Sequence, residues 1–148
     1  MSRLLRCCLL IFCGLLAGVA PVAAEKRVAL VVGIAAYAHT PPLANPLNDA
    51  KDMSTALKAA GFEVTEAFDV TRRAFDDAVR AFAGKLANAD VALLFYAGHG
   101  LQVGAQNYLV PADAKLERER DLEFETIKLE FLLRQMEIDR EGKTSIVI

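Results

Sequence analysis

Val91-Ala92-Leu93-Leu94-Phe95-Tyr96 runs straight into Ala97-Gly98-His99-Gly100, and the rest of the chain is best read outward from this join. An unbroken apolar run ended by glycine suits a strand buried on both faces, as in a parallel sheet. Val28-Ala29-Leu30-Val31-Val32, ended by Gly33, has the same character. Between the two runs, Pro41, Pro42 and Pro46 make Ile34 to Leu47 a loop. Asn45-Pro46 then reads as an N-cap with proline at the first helical position. Leu47, Ala50, Met53, Leu57 and Ala60 recur at helical spacing until Gly61 stops the helix. Phe62 to Phe68 alternates as a second strand, and Thr71 caps a second helix with Phe75, Val79, Phe82 and Leu86 on its apolar face. Beyond His99, Tyr108 to Pro111 is a short extended piece and the mixed charges of Lys115 to Asp121 are a solvated loop. Ile127 to Met136 is expected as a third helix with Phe131 and Leu132 inward, and Ser145-Ile146-Val147-Ile148 as a further buried strand. Strands and helices in this order imply right-handed crossovers and an α/β fold with a parallel sheet covered by helices.

Residues 1–24 have the make-up of an export signal. Arg3 and Arg6 precede a largely apolar stretch from Cys7 to Val19, and Val22-Ala23-Ala24 places small residues before Glu25-Lys26-Arg27. The apolar run falls short of the roughly 20 residues of a bilayer-spanning helix, and Phe12 is too bulky to make Cys13 a lipoprotein site. The expected mature chain is therefore exported, periplasmic or secreted, with membrane contact only through the signal segment. Removing that segment leaves 15 basic against 19 acidic groups in residues 25–148. This is the balance of one ordinary domain and lacks the basic footprint of a nucleic-acid binder.

All three cysteines, Cys7, Cys8 and Cys13, lie in the signal segment, so residues 25–148 offer no disulfide, no thiolate metal ligand and no thiol nucleophile. His39 and His99 are the only histidines and are not at metal-ligand spacing; no metal or cofactor is expected. In open α/β sheets ligands sit beyond the carboxyl ends of the strands, which is where His99 falls. Flanking glycines let its backbone turn sharply and approach a substrate. An imidazole there can act as a general base, and the Gly100 amide can point into an oxyanion hole.

Four motifs carry a resemblance: Arg27-Val28-Ala29-Leu30-Val31-Val32-Gly33; Leu43-Ala44-Asn45-Pro46-Leu47-Asn48-Asp49-Ala50; Tyr96-Ala97-Gly98-His99-Gly100; and Asn107-Tyr108-Leu109-Val110-Pro111-Ala112-Asp113. Together, in this order, they resemble the caspase-like cysteine peptidases, most closely the bacterial caspase/metacaspase-type catalytic domain. The resemblance implies a three-layer α/β sandwich with a largely parallel central sheet. It implies that His99 is the catalytic histidine and that Gly100 supplies an oxyanion-hole N–H. It also implies that Asp49 lines the first specificity pocket and pairs with a Lys or Arg side chain of a peptide substrate. Asp49 has a plainer reading as a first-turn carboxylate favoured by the helix dipole. Asn45 and Asn48 read as helix-start caps, and Tyr37 and Tyr108 as packing residues.

The departure from the family pattern is the nucleophile. In caspases the cysteine lies about 50 residues after the histidine, which falls at or just past Ile148. Residues 25–148 therefore read as a partial catalytic domain, incomplete at its C-terminus and inactive by itself. Ser145 stands at the wrong end of its strand to substitute. A non-catalytic pseudo-peptidase that binds peptides is the alternative; under either reading the terminal strand would be an unpaired edge, and exposed Ile146-Val147-Ile148 would favour self-association. A generic nucleotide-binding domain ranks last, because Gly33-Ile34-Ala35-Ala36-Tyr37 lacks the spaced glycines of a dinucleotide turn.

Overall fold

The computed structural model describes residues 24–138 and 140–148; the segment read as an export signal, except for Ala24, lies outside them. Strand β1 (Arg27–Gly33) is flanked by parallel partners, β2 (Phe62–Phe68) on one side and β3 (Val91–Ala97) on the other. A fourth parallel strand, β7 (Thr144–Val147), pairs with the outer side of β3, giving the order β2-β1-β3-β7.

The alternation of β1 side chains explains why helices cover both faces. Val28, Leu30 and Val32 turn toward helix α2 (Arg72–Leu86) and helix α4 (Leu129–Glu137), joining Phe75, Phe82, Leu132 and Met136 in one core. Ala29 and Val31 turn the other way and pack with Ala50 and Leu57 of helix α1 (Pro46–Ala59). At Gly33 the helix comes so close that a Cβ would stand 2.5 Å from the Ala50 Cβ and 3.0 Å from the Pro46 carbonyl oxygen. Glycine there is a condition for docking the start of α1 on the carboxyl end of β1.

The cap readings divide. Thr71 caps α2, its hydroxyl accepting from the Ala74 N–H at 3.3 Å, while Asp113 accepts from the Arg72 N–H at 2.7 Å. Gly61, at φ +82, provides the left-handed turn after α1. Asn45 is not a side-chain cap; its backbone carbonyl receives the Asn48 and Asp49 N–H groups instead.

Between β3 and β7 the chain forms a small antiparallel sheet of β4 (Gly100–Val103), β5 (Gln106–Leu109) and β6 (Ile127–Lys128). A 3₁₀ turn at Glu119–Asp121 and helix α3 (Leu122–Glu125) precede β6. The expected third helix therefore begins later than read, at Leu129, because Ile127 and Lys128 extend the small sheet. This phase buries Leu132 and Met136, one turn apart, and leaves Phe131 half exposed rather than inward. The final strand is the unpaired apolar edge expected of its position rather than the enclosed strand expected of its composition. Ile146 and Val147 are exposed, because among the described residues β7 pairs only with β3, and α4 meets it at Ser145, whose hydroxyl donates to the Met136 carbonyl at 3.2 Å.

Two polar devices hold β7 in place at the amino end of the sheet. The buried Arg140 guanidinium donates to four carbonyls: Met136 at 3.0 Å, Leu86 at 3.1 Å, Ala89 at 2.9 Å and Thr144 at 2.8 Å. Asp90 receives the Lys26 N–H at 2.9 Å and pairs with the Lys143 ammonium, which holds its carboxyl below the usual range. Replacing Arg140 with Met keeps most of its bulk but leaves these carbonyls short of donors. We expect a loss of at least about 2 kcal/mol in denaturant unfolding, with β7 the first region to lose amide protection.

Candidate active site

The carboxyl ends of β1, β2 and β3 are level, Gly33 standing opposite both Phe68 and Ala97. The chain leaves β1 toward α1 on one face, and the segment after β3 leads to α4 on the other. The gap between those two exits is the topological switch point where α/β sheets form a crevice. Tyr37, from the β1 exit, and His99, from the β3 exit, meet there.

His99 is half-buried and its peptide group is held from both sides. Its N–H donates to the Tyr37 hydroxyl at 2.7 Å, and its carbonyl accepts the Tyr96 hydroxyl at 2.6 Å. The Tyr37 and imidazole rings lie 4.6 Å apart between centroids, tilted by 46°. Tyr96 also accepts from the Val110 N–H at 3.1 Å, and its ring stacks beside buried Phe75 at 6.4 Å. Both phenol oxygens sit over Gly98, where a Cβ would lie 2.8 Å from each. That crowding, in addition to any turn geometry, requires glycine before His99. Burial pushes both phenols above the ordinary tyrosine range; the nearby Asp69 carboxylate adds to the effect at Tyr37, and Tyr37 adds to it at Tyr96.

Asp69 anchors the Tyr37 loop. It adopts φ +47, a left-handed conformation that aspartate tolerates better than most residues. From there one carboxylate oxygen accepts the Ala35 N–H at 2.6 Å and the Ala36 N–H at 2.9 Å. Ala38 and Val70 are both tied to Ala112, which laces the loops after β1, β2 and β5 together.

The hairpin register bears on Gly100. His99 and Val110 are opposite and bonded through the Val110 N–H. In an antiparallel ladder such bonded pairs alternate, so Leu101–Tyr108 and Val103–Gln106 are the next two. The N–H groups of Gly100 and Gln102 therefore point away from β5, to an open edge. Gly104, at φ +60, opens the two-residue loop that makes this register, as a II′ turn needs.

Asp49 lies in the first turn of α1, exposed, at the same end of the sheet as His99. Its carboxylate has no hydrogen bond or ion pair among the described residues, so both its readings stay open. Tyr108 is buried, as a packing residue should be. Tyr37 is more than packing: it packs against the core and also holds the His99 amide. Residue spacing gave little warning of this, since 62 positions separate the pair. Tyr96 and Asp69 were not singled out from sequence either, although each stands at the end of a strand.

Tyr37→Phe keeps the ring contact but removes the acceptor for the His99 amide. The expected cost is about 1–2 kcal/mol, with faster hydrogen exchange at the His99 amide. The raised phenols also set a direction with pH. The folded state holds protons that the unfolded chain releases near the ordinary value of 10.0, so stability falls as pH rises above that point. The urea midpoint should drop between pH 9 and pH 11, and drop less steeply in Tyr96→Phe.

Comparison with known proteins places the fold in a family. The sequence profile described as "Caspase domain" matches residues 26–146. The chain is also 35% identical over 91 residues to mucosa-associated lymphoid tissue lymphoma translocation protein 1 of Homo sapiens, and equally to its homolog of Mus musculus. That match covers 62% of this chain and 11% of each relative, so the chain spans only a small part of their length. With a parallel sheet flanked by helices and a profile match over most of its length, this chain belongs to the caspase-domain family of peptidases.

Proposed function

We propose that this domain cleaves peptide bonds by a cysteine–histidine mechanism, with His99 as acid/base and Gly100 as oxyanion donor. The observation that carries this reading is the outward N–H of Gly100 directly after His99, whose peptide is fixed by two phenols. In the proposed step the imidazole takes the thiol proton and the thiolate attacks the substrate carbonyl carbon. The oxyanion that forms receives the Gly100 N–H. The imidazolium then gives its proton to the departing amine, and water hydrolyses the thioester. Residues 25–148 contain no cysteine, so the thiolate must come from outside them. β7 runs parallel to β3, and Ile148 accepts the Tyr96 N–H at 3.0 Å. A residue following β7 in the same direction would reach the sheet edge that carries His99.

Asp49 is the proposed partner of a substrate Lys or Arg. It is exposed, unpaired among the described residues, and at the right end of the sheet. A second reading is a peptide-binding domain without catalysis, which the exposed and unpaired Asp49 would serve equally well. The signal-like make-up of residues 1–24 supports an exported site of action under either reading.

The test begins with the reading frame beyond codon 148 and with its full product assayed on Arg- and Lys-containing peptides. Cleavage is expected to vanish with iodoacetamide and with His99→Ala. Asp49→Asn is expected to lower kcat/KM after basic residues at least 10-fold. A frame with no cysteine after β7, or cleavage that survives alkylation or His99→Ala, would overturn the catalytic reading.

A further inference from the structure

β4 follows His99 without a break and is bonded only on its β5 side. Gly100, Leu101 and Gln102 are all exposed, and the register places the N–H and C=O of Gly100 and Gln102 on the free edge. Beside the face carrying Leu101 and Val103 lies an open cavity of about 340 Å³, where Leu116 and Leu122 add aliphatic surface and Glu117, Arg118 and Glu119 add charged groups. An edge of this kind, with a side-chain recess on one face, is how sheets accept an added peptide strand.

We propose that a substrate chain adds to β4 as an extended strand, hydrogen-bonding Gly100 and Gln102 and resting an apolar side chain in the Leu101–Val103 recess. This rests on the peptide-recognition reading above and deepens it by placing a second rung beside the Gly100 amide. The occupant follows from continuity: the first rung is the amide proposed to hold the reacting carbonyl, so a chain engaged there already lies along β4. Side chains of adjacent strands share a face, so the peptide residue beside Leu101 projects over the recess. Two rungs are too few to hold a second folded copy but suffice to align a chain anchored at Gly100.

The experiment is amide hydrogen exchange on this chain with and without an uncleavable nine-residue peptide, one central arginine flanked by alternating alanine and leucine. At saturation the Gly100 and Gln102 amides should slow at least 10-fold, while Leu101 and Val103, already bonded to β5, stay unchanged. Gln102→Pro removes an outward N–H, which an edge strand tolerates. It should weaken the peptide about 10-fold with Leu101 and Val103 still protected. Leu101→Asp should weaken leucine-bearing peptides more than all-alanine ones. N-methylation along the peptide gives a readout that leaves the protein untouched: alternate positions should weaken binding and those between should not. Absent protection at β4, protection that rises with protein concentration without peptide, or an N-methyl scan with no alternation overturns the proposal. Cleavage by the full product without β4 protection removes this inference alone. Protection at β4 in a full product that never cleaves removes the peptidase reading alone.

Discussion

Two phenol oxygens packed over the Cα of Gly98 hold the one histidine at the carboxyl edge of the sheet. Tyr37 takes the His99 N–H and Tyr96 gives to its carbonyl, so the peptide on which the imidazole rides is fixed at both ends. Much else is arranged to supply those hydroxyls. Asp69 accepts a left-handed backbone to tie down the loop bearing Tyr37, and Phe75 from α2 backs the ring of Tyr96. A general base gains from being placed before substrate arrives, because geometry already settled need not be settled in the transition state. The same hydroxyls fix where β4 begins and so where the outward N–H of Gly100 points.

The elements that were legible in the sequence are those whose signals are local. The doubly buried strands β1 and β3 announced themselves as unbroken apolar runs, and α2 by its Thr71 cap and the apolar stripe Phe75, Val79, Phe82 and Leu86 at helical spacing. Gly61 and the three prolines punctuated the chain where the structure turns. His99 could be placed at the sheet edge because the strand before it was unmistakable. The small sheet was hidden for a physical reason: β4 and β5 are four residues each, partly exposed and polar, and β6 is two. Such strands exist only because the core behind them supplies a partner. The same cause shifted the start of α4 and turned Phe131 outward.

The site was half legible. The histidine and its glycines stand together in sequence, but the tyrosine that fixes them comes from the far side of two strands and two helices. No periodicity reports such a contact. Tyr37 read as packing because a tyrosine in a proline-rich loop has a ring to bury, and its hydroxyl partner is a backbone group without a sequence signature. The run Ser145 to Ile148 read as a buried strand by composition and as an unpaired edge by position, and the structure shows the edge, since an apolar strand is enclosed only if neighbours stand on both sides.

The two ends of the sheet are tied by different chemistry. At the amino end Asp90 binds the backbone of Lys26 and the ammonium of Lys143, an exposed pairing of charges. At the carboxyl end neutral phenols bond to the backbone of His99, and the Asp69 carboxylate ties down the Tyr37 loop through two N–H groups. Dissolved salt screens exposed charges over about 10 Å at 0.1 M but has little purchase on a phenol–peptide bond. Ionic strength therefore weakens the exposed Asp90–Lys143 pair, while the buried Arg140 bonds beside it and the phenol bonds at His99 are screened far less. For a chain proposed to work outside the cell, where salinity is set by the surroundings, the hydroxyl bonds that fix His99 are thus ones that dissolved salt reaches weakly.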